Sequence, residues 1–208
     1  KVTADSGIDA LTHAIEAYTA VDNADFPLPP GERSAYQGKN PMGDLFAEQA
    51  IALCGKYLRR VVADGGDLEA REGMALAATL GGLAFSNVGV ALVHALEYAI
   101  GGVVPVSHGA GNGLLLPFVM RFNLPGREAE FSRIAEWLGA PPTPESAIEA
   151  VVKLKRDIGI PERLRDLGID RGQLRTLAER AYAIRRITRV NPRPASVDDL
   201  HGILLDAW

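Results

Sequence analysis

The chain has a single cysteine, Cys54, in 208 residues. No internal disulfide can form, which points to a reducing compartment: the cytoplasm or, in a eukaryote, the mitochondrial matrix. Cys54 sits in an apolar helical run and reads as a small buried hydrophobe. Basic charge is not in excess either. The formal net charge is −4, and the Arg59-Arg60 and Arg185-Arg186 pairs are short, so solvated helix faces are expected and a nucleic-acid partner is not. Long uninterrupted apolar runs are lacking. Met74 to Leu96 carries no formal charge with His94 neutral, a length that could span a bilayer. However, Gly81, Gly82, Ser86, Asn87 and Gly89 interrupt it, and neither a basic flank nor an aromatic belt follows. A buried helix pair is therefore expected, and no membrane partner. No repeat, low-complexity tract, initiator Met or basic-plus-apolar leader is present. The chain begins almost directly in a helix that carries chemistry, as the C-terminal part of a longer protein would.

Apolar spacing and end signals read as helix along most of the chain. Residues 6–20 place Ile8, Leu11, Ile15 and Tyr18 on one stripe. Asp9, His13 and Glu16 fall on the adjacent one, which could border a cleft. Residues 21–39 hold Pro27, Pro29, Pro30, Gly31 and Gly38 and read as a long loop. Asn40 and Pro41 look like the cap and first-turn proline of a helix to about Ala63. Asp67 caps the next helix, a break near Ser86-Asn87 precedes the helix of His94, and Gly101-Gly102 ends that one. Val103 to Val106 is too short for a sheet. His108 opens a helix that contains Pro117. Further helices cover 127–138, 144–159 and 170–183, and Ser196 with Asp199 forms a capping box for the last. The fold class is all-α, a helix bundle in one domain over residues 1–208.

The chain has four histidines. Asp9 and His13, four apart on a helix, project from one side. His94 lies in the nearly charge-free segment, where an unpaired ring would be costly. His108 precedes Gly109, Gly111 and Gly113, a setting in which backbone can approach a ligand closely. Taken singly, a core histidine and a surface pair are the ordinary readings. Taken together, one carboxylate and three imidazoles suit a divalent Fe, Zn, Mn, Co or Ni ion with a position open for substrate. His201, Trp137 and Trp208 read as surface or packing residues.

The stretches GIDALTHAIEAY, LVHALEYAIGG, SHGAGNGLLLPFVMRFN and the closing DAW resemble the iron-containing (group III) alcohol dehydrogenase family over essentially the whole chain. The resemblance implies the C-terminal, all-helical metal domain of a longer protein in the dehydroquinate synthase-like superfamily. The N-terminal dinucleotide-binding domain would be absent from this chain. The family's four metal ligands fall on Asp9, His13, His94 and His108, with Fe2+ or Zn2+ as the metal and NAD(P) as the cofactor. Many members carry a further histidine four residues after the third ligand. Tyr98 stands there, either as a catalytic hydrogen-bond donor or as a packing residue. Glu97 is expected to be a structural partner or a solvated acid rather than a base. RSAYQGKNPMGDLFA and YLRRVVADGGDLEARE resemble the hydroxyacid–oxoacid transhydrogenase branch, which implies oxidation of 4-hydroxybutyrate and reduction of 2-oxoglutarate. In the first of these stretches Arg33 and Lys39 are natural partners for a substrate carboxylate, beside Tyr36, Gln37 and Asn40. A clamp between helices is the structural alternative.

The function so implied is hydride transfer between an alcohol or hydroxy acid and a nicotinamide, with the metal as Lewis acid on the substrate oxygen. HGAGNG at 108–113 lacks a preceding strand and is a poor dinucleotide fingerprint. Cofactor phosphate binding is therefore expected from the N-terminal half, and the chain alone should not turn over substrate. A metal-dependent cyclase or lyase of the dehydroquinate synthase kind is a second reading, which the DALTH and SHG wording disfavours. A non-catalytic helical interaction module is the third. The expected partners are a small alcohol or hydroxy acid and the N-terminal domain; a homo-oligomer is left open.

Overall fold

Small residues decide how closely the helices approach. The first helix, α1 (Val2–Thr19), buries Ala4, Gly7, Ala10, Ala14 and Ala17. It packs against α2 (Pro41–Ala63), α3 (Leu68–Val88) and α5 (His108–Asn123). A Cβ on Gly7 would come within 2.3 Å of Leu58 Cδ1 on α2, and one on Gly81 of α3 within 3.0 Å of the Ala10 carbonyl oxygen. Around these contacts Ile8, Leu11, Ile51, Leu58, Leu92, Leu96 and Leu114 lose all solvent contact. Full burial of each such side chain contributes about 1.5–3 kcal/mol.

The computed structural model describes all of residues 1–208. The remaining helices are α4 (Leu92–Gly101), α6 (Glu128–Trp137), α7 (Pro144–Asp157), α8 (Leu174–Ala183), α9 (Arg185–Thr188) and α10 (Val197–Ala207). No strand forms; the one β-bridge joins Asp22 to Lys39 inside the loop between α1 and α2. The fold is all-α. α4 lies between α5 and α8, and α10 closes over α8 and α5. Asn40 Oδ1 accepts from Gly43 N at 3.0 Å and Asp67 Oδ1 from Ala70 N at 3.0 Å. Ser196 and Asp199 bond reciprocally at the start of α10. Each such cap is worth about 1 kcal/mol.

Several boundaries differ from those the sequence suggests. α1 begins at Val2 rather than near Ser6, its first turn braced by Lys1 Nζ to Asp5 Oδ2 at 2.9 Å. The α3–α4 break falls at Gly89, not at Ser86-Asn87. Gly89 has φ +118°, a region glycine enters without the steric cost other residues bear. Ser86 and Asn87 stay helical, and Asn87 Nδ2 donates back to Leu83 O at 2.8 Å. α3 and α4 are bent by 103° at this point, and no single helix is long and apolar enough to cross a membrane. Asp170 opens a 3-10 turn (Arg171–Gln173) before α8, and the chain breaks again at Ile184 before α9.

The glycines after His108 serve a different purpose from the one their spacing suggests. A Cβ on Gly109 would lie 2.0 Å from the Asp5 carbonyl oxygen, one on Gly111 2.8 Å from Glu97 Cγ, and one on Gly113 2.7 Å from Ile8 Cγ1. They let α5 press against α1 and α4, not against a ligand. Gly109→Ala should therefore destabilise the protein by at least about 1–3 kcal/mol, as overpacking against backbone does. Gly82→Ala on α3, where a Cβ would meet nothing within 4 Å, should stabilise it by about 0.5–1 kcal/mol. Urea titration of both variants checks the contrast.

Candidate metal centre

Three helices supply the four side chains singled out by the sequence. α1 carries Asp9 and His13 on one face, α4 carries His94, and α5 opens with His108. One ligand atom from each lies within 4.8 Å of all the others. His94 Nε2 and His108 Nε2 are each 3.8 Å from Asp9 Oδ1, and His13 Nε2 is 4.0 Å from Asp9 Oδ2. The site grades from dry to wet. The His94 side chain is 1% exposed, Asp9 and His13 about one fifth, and His108 41%, so the cluster opens on the His108 side.

Two buried carboxylates stand behind the rings. Glu16, one turn beyond His13 on α1, accepts from the backbone N–H of Ala91 at 2.8 Å and of Val93 at 2.6 Å, and from His94 Nδ1 at 2.6 Å. It thus fills the N-terminus of α4, where the free N–H groups and the helix dipole favour negative charge. It also commits the His94 proton to Nδ1, leaving the Nε2 lone pair facing Asp9. Glu97 holds His108 Nδ1 in the same way. These are the carboxylate–histidine pairs that fix tautomer and ring orientation in metal sites. His13 has no such partner. Its ring is stacked between Phe85, at 4.4 Å, and His94, at 4.8 Å.

The electrostatics favour a cation. Burial, outweighing the attraction of Asp9, pushes His13 down to about 4, so the ring is neutral at neutral pH, as a ligand must be. The hydrogen bond to Glu97 raises His108. The cluster thus presents a carboxylate and imidazole lone pairs, and one amide, that of Asn112, serves three of them: Asp9 Oδ1 at 2.7 Å and the Nε2 atoms of His94 and His108 at 3.1 Å. Acceptors outnumber donors, and the chemistry of the set fits a divalent ion of the Fe or Zn kind.

The other expected site residues divide. Tyr98 lies at the rim, 42% exposed, its ring stacked on His108 at 5.6 Å and edge-on to His94 at 6.2 Å. Burial, then Tyr36, raise its phenol, and the Arg186 charge opposes them. Lys39 is not brought to the cluster. Its Nζ is 2.6 Å from Asp44 Oδ2 and lies over the Tyr18 ring at 4.1 Å, which uses its charge inside the fold. Arg33 lines an open depression with Asn23, Phe26, Tyr36 and Gln37, and no hydrogen bond joins it to the ligand set. The rest of this loop is a clamp. Lys39 N donates to Val21 O at 2.7 Å, Gln37 N and Gly38 N donate to Val88 O, and Asn40 caps α2. Tyr36 covers Gly89, where a Cβ would sit 2.8 Å from its ring, so the clamp holds the corner that aims α4.

Comparison with known proteins follows the geometry. The family described as "Fe-containing alcohol dehydrogenase family, C-terminal" matches residues 33–208. The chain belongs to the iron-containing alcohol dehydrogenase family. Among its relatives, 1,3-propanediol dehydrogenase of Klebsiella pneumoniae is 38% identical over 214 residues, covering 100% of this chain and 51% of that protein. The mitochondrial hydroxyacid–oxoacid transhydrogenase of Bos taurus is 33% identical over 229 residues, covering 98% and 48%. A crystal structure of 1,3-propanediol oxidoreductase matches with a TM-score of 0.88 and 38% identity, over 99% of this chain and 51% of that one. The chain spans about half the length of the curated relatives it matches.

Glu16 and Asn112 enter the site without having been assigned to it from sequence. Glu16 was legible as a member of the Asp9–His13 stripe, and Asn112 as the residue four beyond His108.

Two outcomes follow. Glu16→Gln should lower affinity for a divalent metal by about 10- to 100-fold, the usual cost of losing such a partner; an unchanged affinity in a competition titration would show that Glu16 does not set the His94 tautomer. The second concerns pH. The His13 ring binds a proton near 6.5 in the unfolded chain and near 4 in the fold. Between those values the unfolded state holds more protons, so this contribution to stability is complete above about 6.5 and is lost as pH falls toward 4. His108, raised in the fold, acts in a separate window and loses its contribution as pH rises beyond 6.5. Denaturant titrations of chelator-treated protein from pH 7 to 4.5 should fall more steeply for wild type than for His13→Gln.

Proposed function

We propose that the chain is the metal-binding catalytic domain of a nicotinamide-dependent alcohol dehydrogenase, which exchanges hydride between a small alcohol or hydroxy acid and NAD(P). The observation that carries this reading is the convergence of Asp9, His13, His94 and His108 within 4.8 Å, in a setting short of hydrogen-bond donors. A divalent cation held there, Fe2+ or Zn2+, supplies a Lewis acid for the alcohol or carbonyl oxygen. Asp9 contributes the anionic ligand that offsets the cation's charge. Glu16 and Glu97 keep the Nε2 lone pairs of His94 and His108 turned inward. Tyr98, stacked on His108 at the open side, covers the ring face and bounds the space for substrate; its half-exposed phenol can also donate a hydrogen bond there. The other half of the full-length protein would contribute the dinucleotide-binding domain, because the present helices offer no phosphate-binding turn. Family membership favours the dehydrogenase over the cyclase reading. The interaction-module reading is disfavoured by four ligands converging with two buried carboxylates behind them.

Transhydrogenation between 4-hydroxybutyrate and 2-oxoglutarate is the finer form of this reading, supported by the wording of residues 33–47 and by the transhydrogenase among the relatives. Such substrates bring a carboxylate. With Lys39 engaged by Asp44, Arg33 and the exposed Arg186, whose charge acts on the Tyr98 phenol, are the candidates for pairing with it.

The full-length protein should purify with near-stoichiometric divalent metal that His94→Ala removes, and it should pass deuterium from a C1-deuterated alcohol to NAD(P)+. Metal retained in His94→Ala would sink the site assignment. With a hydroxy acid as substrate, Arg33→Ala or Arg186→Ala should raise KM while leaving KM for an uncharged alcohol alone; equal effects on both substrates would remove the carboxylate from the reading.

A further inference from the structure

Asn112 is fully buried on α5, one turn beyond His108. Its amide nitrogen has two hydrogens but faces three acceptors: Asp9 Oδ1 at 2.7 Å and the Nε2 atoms of His94 and His108, each at 3.1 Å. Its Oδ1 is buried with no partner at all. Exchanging the two ends of the amide would turn an oxygen toward three acceptors, so the nitrogen belongs inward. The side chain is therefore hydrogen-bonded only at its ligand end, and no hydrogen bond on the far side holds it there.

The lone pairs it engages are the ones a cation would need. With Nδ1 of His94 and His108 committed to Glu16 and Glu97, each ring has a single lone pair left, on Nε2. That pair can accept from the amide at 3.1 Å or bind a metal at about 2.0–2.2 Å, but not both. Asn112 and a metal ion are thus exclusive occupants of the same two nitrogens. Glu16 and Glu97 support the rings from behind, at Nδ1, whereas Asn112 competes from the front.

We propose that Asn112 is a displaceable plug of the metal site: its amide holds Asp9, His94 and His108 together by hydrogen bonds, and a divalent cation enters as the amide turns off them. This rests on the metal-site reading and adds a residue that opposes loading. A supporting residue would lose about 10- to 100-fold in metal affinity on removal; a plug gains affinity on removal, through faster entry.

The test is stopped-flow mixing of Co2+ with metal-stripped full-length protein, as wild type, Asn112→Ala and Asn112→Leu. The leucine variant is close to asparagine in shape, with neither the donor nor any added charge, and it keeps the test open if the alanine variant does not fold. Co2+ association should quicken by about five- to thirtyfold, the factor set by one or two forgone hydrogen bonds, in either variant. Dissociation from Asn112→Ala should be unchanged, because the loaded site does not use the amide nitrogen. Association at or below the wild-type rate in the folded variants, or an effect confined to faster dissociation, would overturn the plug and leave Asn112 a packing or supporting residue. Wild-type protein that takes up no Co2+ would instead overturn the metal-site reading, and the plug with it.

Discussion

The carboxylate of Glu16 joins the parts of this structure that matter. It is 4% exposed, yet it receives two backbone N–H groups from the start of α4 and the ring proton of His94. One side chain on α1 therefore fixes where α4 begins, how it is rotated and which nitrogen of its histidine faces the cluster. A buried carboxylate without such donors would cost several kcal/mol. With them, its charge is answered by dipoles that come preorganised with the fold. Asp9, His13 and Glu16 lie on successive turns of the same helix, so ligand and support are in register before any packing occurs.

That register is useful only if α4 and α5 come close enough to α1. Gly109 and Gly113 remove the side chains that would separate α5 from α1, and Gly111 admits Glu97. Gly89 turns the chain through the corner between α3 and α4, and Tyr36 from the long loop closes over it. The loop with substrate-like wording thus contributes to the site at one remove, by holding a corner. This is why Lys39 is spent on Asp44 and the Tyr18 ring rather than left at a rim.

Features written in local spacing could be read from the sequence. The caps at Asn40, Asp67 and Ser196 with Asp199 lie where the sequence puts them, and Asp9 and His13 share a face because four residues make about one turn. His94 could be inferred from cost, since a polar ring in a charge-free run needs a partner. Its partner could not be found in this way: 78 positions separate Glu16 from it, and no periodicity spans that distance. Asn112 obeys the same four-residue rule as His13, but an amide does not announce chemistry as an imidazole does. The α3–α4 break was misplaced because Ser86 and Asn87 are common turn formers, whereas only Gly89 adopts the positive φ that turns the chain. The pairing of Lys39 with Asp44 could not be read from spacing, because it crosses a loop–helix boundary, where neither helical nor strand periodicity applies.

The three rings are not held alike. His94 and His108 are pinned by hydrogen bonds at Nδ1, but His13 is gripped only by its faces, between Phe85 and His94. Stacking restricts rotation about Cβ–Cγ, so packing sets the plane of His13, whereas hydrogen bonds set those of the other two. Packing can orient a ring but cannot choose its tautomer, so His13 is the one imidazole of the three whose proton position the fold leaves free.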